Sequence, residues 1–237
     1  MMNNIEATAR NGLYCSEFEH DSCGVGFLAQ LNGQKSHRLV EDGLSTLRNL
    51  NHRGACGCEE NTGDGAGILL QIPHEFFSSV CVDLNISLPD EGKYGVGVLF
   101  APKSEKDQTA LRNLIEEIIN SEGLNVLGWR DVPTEVDKAD VGNTAREAEP
   151  AILQVFVDSS NSDVTGDVLE RKLFVVRKVL ERAIEESGLT GEQVDSFYIC
   201  SMSCNTIVYK GLLMAHQIAE FYKDLRDPDV VSAFALV

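Results

Sequence analysis

The sequence predicts an α+β protein built from layers of helix and sheet. Three observations carry that reading: apolar runs of strand length recur along the chain, longer segments between them repeat apolar residues at helical spacing, and the two patterns are interleaved. With 237 residues, 43% of them hydrophobic and 24% charged, the chain can bury a proper core, as one large domain or two small ones.

Residues 23–31, "CGVGFLAQL", read as a short buried strand punctuated by glycine, which "NGQ" then turns. In "SHRLVEDGLSTLRNL" Ser36 can cap a helix, and Leu39, Val40, Leu44, Leu47 and Leu50 recur at helical spacing on its core face. Residues 51–67, "NHRGACGCEENTGDGAG", have almost no periodicity and form a glycine-rich loop; long irregular loops inside compact domains tend to carry function. "ILLQIP" follows as a strand. "KYGVGVLFAP" is a further strand, and "EKDQTALRNLIEEIINSEG" a helix with Leu111, Leu114, Ile115, Ile118 and Ile119 on one face.

"LNVLGWRDVP" returns as strand, and the polar, unpatterned residues 134–150 read as an exposed loop. "AILQVFVD" is a strand, and the segment beginning at Asp167 is a long helix with a stripe of Leu169, Leu173, Val176, Leu180 and Ile184. "SFYICSMSCNTIVYKGLL" gives two strands around a polar turn at residues 203–206, and "AHQIAEFYKDL" closes as helix. The last segment, "VVSAFALV", is strand-like and apolar with no turn, cap or polar tail. An open apolar edge invites aggregation, so a truncated chain is expected.

The formal net charge is −17, from 20 basic and 37 acidic residues. No basic stripe is available to displace counterions, so nucleic acid and anionic membrane are excluded as partners and the acidity is read as a solvated surface. No apolar run approaches the ~18 residues that would cross a bilayer, and residues 1–22 lack the charged-then-apolar order of a secretory signal. A cytoplasmic location is expected. The seven cysteines are an odd number in such a chain, which favours reduced thiols over a disulfide framework.

Three chemistries fit the motifs poorly. "GVGFLA" places Gly24, Gly26 and Ala29 in a loose dinucleotide fingerprint, but without the preceding strand and the opening helix that bind a pyrophosphate. Asn61 and Asp64 of "ENTGDGAG" lack the alternating acids and closing glutamate of a calcium loop. Cys56 and Cys58 with Cys200 and Cys204 have the wrong spacings for four zinc thiolates.

Cys23 stands apart. A free thiol, with a pKa near ~8.5, needs a base or a positive neighbour to act as a nucleophile at neutral pH. Removal of residues 1–22 would provide one in the α-amino group of Cys23 itself, whose pKa lies near ~8. Gly24 leaves room for a carbonyl to approach. Read from these residues alone, the position stays open between an ordinary thiol and a nucleophile.

"CGVGFLA", followed some thirty residues later by "NHRGACGCEENTGDGAGILLQIP", resembles the start of the class II glutamine amidotransferase domain of glutamate synthase large subunits. "HRG" is shared widely within the class, the insertion "CGCEENTGDG" is what points to glutamate synthases, and "FYICSMSCNTIVYKGLL" resembles a further segment of that domain. The likeness spans nearly the whole chain. It implies a four-layer αββα N-terminal-nucleophile hydrolase fold, with residues 1–22 a pro-segment and residues 23–237 the N-terminal portion of the domain. It also implies that the Cys23 thiolate attacks the side-chain amide of glutamine, giving a γ-glutamyl thioester and ammonia, while Arg53 of "HRG" supports the nucleophile electrostatically.

No cofactor is implied for this region. FMN and an iron-sulfur cluster are implied for the full-length enzyme, with glutamine, the remainder of the glutamate synthase chain, and a small subunit or ferredoxin as partners. Asn205 departs from the family pattern, where many relatives carry a basic residue, and is read as a turn substitution. In the family, the arginine and aspartate that hold glutamine and the asparagine-glycine oxyanion hole follow the segment resembling "SAFALV". Losing one oxyanion donor typically costs ~10² to 10³ in rate, so the chain is expected to be nearly inactive by itself. Two other readings stand beside this one: a non-enzymatic binding or regulatory fragment, and a thiol redox or metal-binding protein built on Cys56 and Cys58.

Overall fold

The computed structural model describes residues 23–54, 59–186 and 196–237. The pro-segment expected over residues 1–22, and the thiols of Cys56 and Cys58, lie outside the described residues. Eight strands form two antiparallel four-stranded sheets: β1 (Phe27–Ala29), β8 (Phe234–Leu236), β2 (Ala66–Gln71) and β7 (Thr206–Gly211), in that spatial order, make the first. The second runs β4 (Asn125–Asp131), β5 (Ala151–Asp158), β3 (Tyr94–Ala101), β6 (Tyr198–Ser203).

Helix α1 (His37–Asn49) begins where the sequence placed it, with the Leu39 amide donating to the Ser36 hydroxyl at 3.3 Å. Leu39, Val40, Leu44 and Leu47 are buried against the first sheet. Gly43 permits the contact, since a Cβ there would lie 2.8 Å from that of Ala235 on β8. Helices α3 (Glu105–Ser121) and α5 (Gly166–Glu186) cover one face of the second sheet. Their predicted stripes are buried in a core of their own, apart from Leu114, which packs at its margin.

The alternation along β5 explains its apolar sequence, interrupted only by the buried Gln154, which accepts from Arg130. Leu153, Val155 and Val157 face α3 and α5, whereas Ile152 and Phe156 enter the larger core shared with α1, β2 and β7. A strand buried on both faces has no polar side to show. Close packing also fixes a glycine on β3, where a Cβ at Gly95 would come within 2.4 Å of Leu173 Cδ1, itself fully buried on α5. Gly95→Ala is therefore expected to destabilise the fold by about 1–3 kcal/mol through overpacking, measured as a lower urea midpoint at unchanged slope.

Several expectations are corrected. The strand expected over residues 23–31 is regular only from Phe27 to Ala29, and it is largely exposed rather than buried, because it lies at the edge of the first sheet. The segment 74–83 forms a helix, α2 (His74–Asp83), which no expectation covered; Phe76, Phe77 and Cys81 are its buried face. Residues 134–150 are not simply an exposed loop. They carry a short helix, α4 (Asn143–Glu147), and bury Ala139, Val141 and Ala145. The closing helix is one short turn, α6 (Gln217–Phe221), followed by a 3-10 turn, Lys223–Arg226. Finally, "VVSAFALV" does not expose an open edge at β8, which hydrogen-bonds to β1 on one side and β2 on the other.

Candidate active site

Residues 23–26 run along the end of α1 before β1 begins, and the two glycines there exist for close approach. A Cβ on Gly24 would lie 3.1 Å from Arg53 Cβ and 3.2 Å from Leu50 Cβ, and one on Gly26 would lie 2.7 Å from Thr46 Cγ2. Backbone hydrogen bonds between Gly26 and Val237, 2.9 and 2.8 Å, hold the segment against the C-terminal end of β8. Packing against α1, with no helix opening after it, removes the dinucleotide reading of "GVGFLA".

The loop after α1 turns through a 3-10 turn, Asn51–Arg53, and this brings the Arg53 side chain onto the Gly24 backbone. Cys23 and Arg53 thus line one cavity of about 340 Å³, with Gly24, Asp64, Gly65 and Met214 among its other walls. The Cys23 side is exposed to solvent. The cavity is large enough for a small substrate beside Cys23, with Arg53 among its walls. The two residues expected to carry chemistry are therefore neighbours in space, thirty positions apart in sequence.

The far wall comes from the glycine-rich loop. Glu59 Oε2 accepts from Thr62 Oγ1 at 2.8 Å and from the Thr144 amide at 3.1 Å, and these bonds hold its carboxyl below the usual carboxylate range. Gly63 packs on the Leu213 backbone so closely that a Cβ would stand 2.4 Å from its carbonyl carbon. Gly65, at φ 145°, adopts a backbone that other residues rarely take. In the sequence Asp64 was weighed only as a calcium ligand, and Met214 was not singled out. Neither carries a periodicity or spacing that marks it.

The other thiols are placed differently. Cys81, Cys200 and Cys204 are buried, and burial pushes them up to about 11, about 12 and about 12 respectively. Neutral buried thiols are poor nucleophiles. Cys200 faces the larger core and Cys204 the helix-side core, on opposite sides of the second sheet, so the two cannot share the metal considered for them. Among the described residues no group of three or more histidines, cysteines and acids is placed to hold a metal ion. Asn205 sits in the β6–β7 turn, where Glu170 Oε2 accepts from its side chain at 3.3 Å and from the Cys204 amide at 2.8 Å.

The sequence profile of the glutamine amidotransferases class-II matches residues 23–237. The chain belongs to this family. It is 45% identical over 95% of its length to the glutamate synthase [NADPH] large chain of Bacillus subtilis, covering 14% of that protein. It is 38% identical over 92% of its length to the ferredoxin-dependent glutamate synthase 2 of Synechocystis, covering 13% of it. Against the glutamate synthase [NADPH] large chain of Azospirillum brasilense the identity is 38% over 98% of the chain and 15% of the relative. The chain thus spans about one seventh of the length of the curated relatives it matches.

The amidotransferase domain is accordingly an N-terminal-nucleophile hydrolase of the α+β class. Its two antiparallel sheets, with α1 on the first and α3 and α5 on the second, are the layers that class calls for.

Proposed function

We propose that this chain is the glutaminase module of a cytoplasmic glutamate synthase, with Cys23 as nucleophile once residues 1–22 are removed. The observation that carries the reading is the shared cavity: the exposed Cys23, Arg53 and Gly24 line one space of about 340 Å³.

The freed α-amino group of Cys23 takes the thiol proton. The thiolate then attacks the side-chain carbonyl carbon of glutamine, forming the S–C bond, and the same amine returns the proton to the departing nitrogen as the C–N bond breaks. Ammonia leaves, and a γ-glutamyl thioester remains. Water, deprotonated by the amine, attacks the thioester carbon; the C–S bond breaks and glutamate is released. Arg53 acts by its positive charge, favouring the thiolate and the charge that develops during attack.

The ammonia would be used elsewhere on a longer polypeptide to make glutamate from 2-oxoglutarate. FMN and an iron-sulfur cluster would belong to that remainder. When bound, they supply the electrons of that second reaction; no step at Cys23 depends on them. A small subunit or ferredoxin would be the electron-delivering partner.

The test uses the protein expressed from its full reading frame. Intact mass should show residues 1–22 missing, and a glutamine-like diazo ketone should label Cys23 while sparing Cys81, Cys200 and Cys204. Glutamine hydrolysis by protein that keeps residues 1–22 overturns the proposal, as does labelling confined to another thiol.

A further inference from the structure

We propose that Gln217 is a positioning residue for the glutaminase reaction, one that fixes the shape of the glutamine cavity by tying together two of the segments that line it. The inference rests on the reading of the Cys23 cavity as the glutamine site. Gln217 opens α6 and is fully buried, although it is a polar side chain in an otherwise apolar face. Its carboxamide is used three times. Oε1 accepts from the Met214 amide at 2.7 Å, and Nε2 donates to the Asn61 carbonyl at 2.9 Å and to the Asp140 carbonyl at 3.0 Å.

Those partners belong to two adjoining segments that line the cavity. Met214 lines it directly with Leu213 and Ala215, while Asn61 anchors the loop whose Asp64, Gly65 and Ala66 also line it. The same loop is pressed onto residues 213 and 214 at Gly63 and receives a bond from the Gly142 amide to Asn61 O at 3.0 Å. One buried amide therefore joins the glycine-rich loop to the 213–215 segment and holds the register of the two. Only a carboxamide fills this position, because it offers an acceptor on one side and two donors on the other. A carboxylate keeps the acceptor but turns its second oxygen toward two carbonyls. A leucine removes all three bonds and leaves the Asn61 carbonyl with the Gly142 amide alone.

Gln217 does not line the cavity, so its loss should disturb the fit of a glutamine-sized ligand and leave the intrinsic reactivity of the thiol alone. Two reagents separate these effects in the full-length protein. Iodoacetamide is small and reports thiol reactivity, whereas the glutamine-like diazo ketone must be seated between the walls before it alkylates Cys23. In Gln217→Leu and Gln217→Glu the diazo ketone inactivation rate should fall about 10- to 10²-fold, as expected for misplacement on the ångström scale. The iodoacetamide rate at Cys23 should stay within about twofold, and the KM for glutamine should rise more than kcat falls.

Gln217→Glu keeps the Met214 bond and provides the measurement if Gln217→Leu does not fold. A folded variant labelled by the diazo ketone at the parent rate overturns the proposal. So does an equal slowing with both reagents, the mark of a purely structural role. If the parent protein itself takes no diazo ketone at Cys23, the glutaminase reading fails and the positioning role falls with it; parent labelling with unchanged variants removes Gln217 alone.

Discussion

Cys23→Ala, made in the protein expressed from its full reading frame, should lower glutamine hydrolysis by about 10⁴-fold or more, the scale seen when a covalent nucleophile is removed from an otherwise intact site. The size of the effect follows from the mechanism, because among the described residues no other thiol lines the cavity. Cys81, Cys200 and Cys204 are buried with their thiols held neutral by that burial, and they face protein cores, not the cavity. Alanine removes only the sulfur. The Gly24 contact with Arg53 and the Gly26 pairing with Val237 use backbone and remain. Glutamine should therefore still bind within a few-fold of its parent affinity while ammonia release disappears, a split that distinguishes lost chemistry from a damaged site. Ammonia release above about 1% of the parent rate would show that the nucleophile lies elsewhere. Cys200→Ser, a change at a buried thiol, should by contrast alter stability more than rate.

How much of this was legible in the sequence depends on the range of the contacts concerned. The β5 run and the α5 stripe could be read directly, since one is a near-continuous apolar run of strand length and the other repeats every three to four residues, each within one segment. Helix α2 was missed because ten residues give barely two apolar turns, and its adjacent phenylalanines do not single out a helical period. Residues 139, 141 and 145 were missed for a related reason: two are alanines, whose small side chains are buried without registering as apolar among charged neighbours. At the site, Cys23 and Arg53 were legible through the resemblance of their flanking motifs, not through any pattern of their own. The bonds of Gln217 to Asn61 and Asp140 cross 156 and 77 positions, beyond the reach of any local rule. Its one visible trace is a glutamine four residues before Phe221, on the face that the helix buries.

The largest loss of stability is expected from Asp224→Ala, at about 3–5 kcal/mol, the range found when one partner of a buried ion pair is removed. Arg130 on β4 and Asp224 on the 3-10 turn are 7% and 3% exposed and meet through two hydrogen bonds of 2.8 Å. Arg130 also donates to Gln154 Oε1 at 2.8 Å, and Tyr209 on β7 donates its hydroxyl to Asp224 Oδ2 at 3.0 Å. The guanidinium carbon stands 5.5 Å from the centre of the Phe76 ring. Arg130 and Gln154 belong to the second sheet and Tyr209 to the first, so the carboxylate of Asp224 joins the two sheets through one buried charge. Alanine would leave the guanidinium desolvated with no counter-charge and the tyrosine hydroxyl without its acceptor. Urea unfolding should show the midpoint fall at constant slope. The pair need not be stabilising in itself, because its desolvation offsets much of its attraction; Arg130→Met combined with Asp224→Leu should accordingly lose less than Asp224→Ala alone. A single-variant loss below about 1 kcal/mol, or a double variant worse than the single, would mean that the charge at Arg130 is solvated in a way its burial between the sheets does not allow.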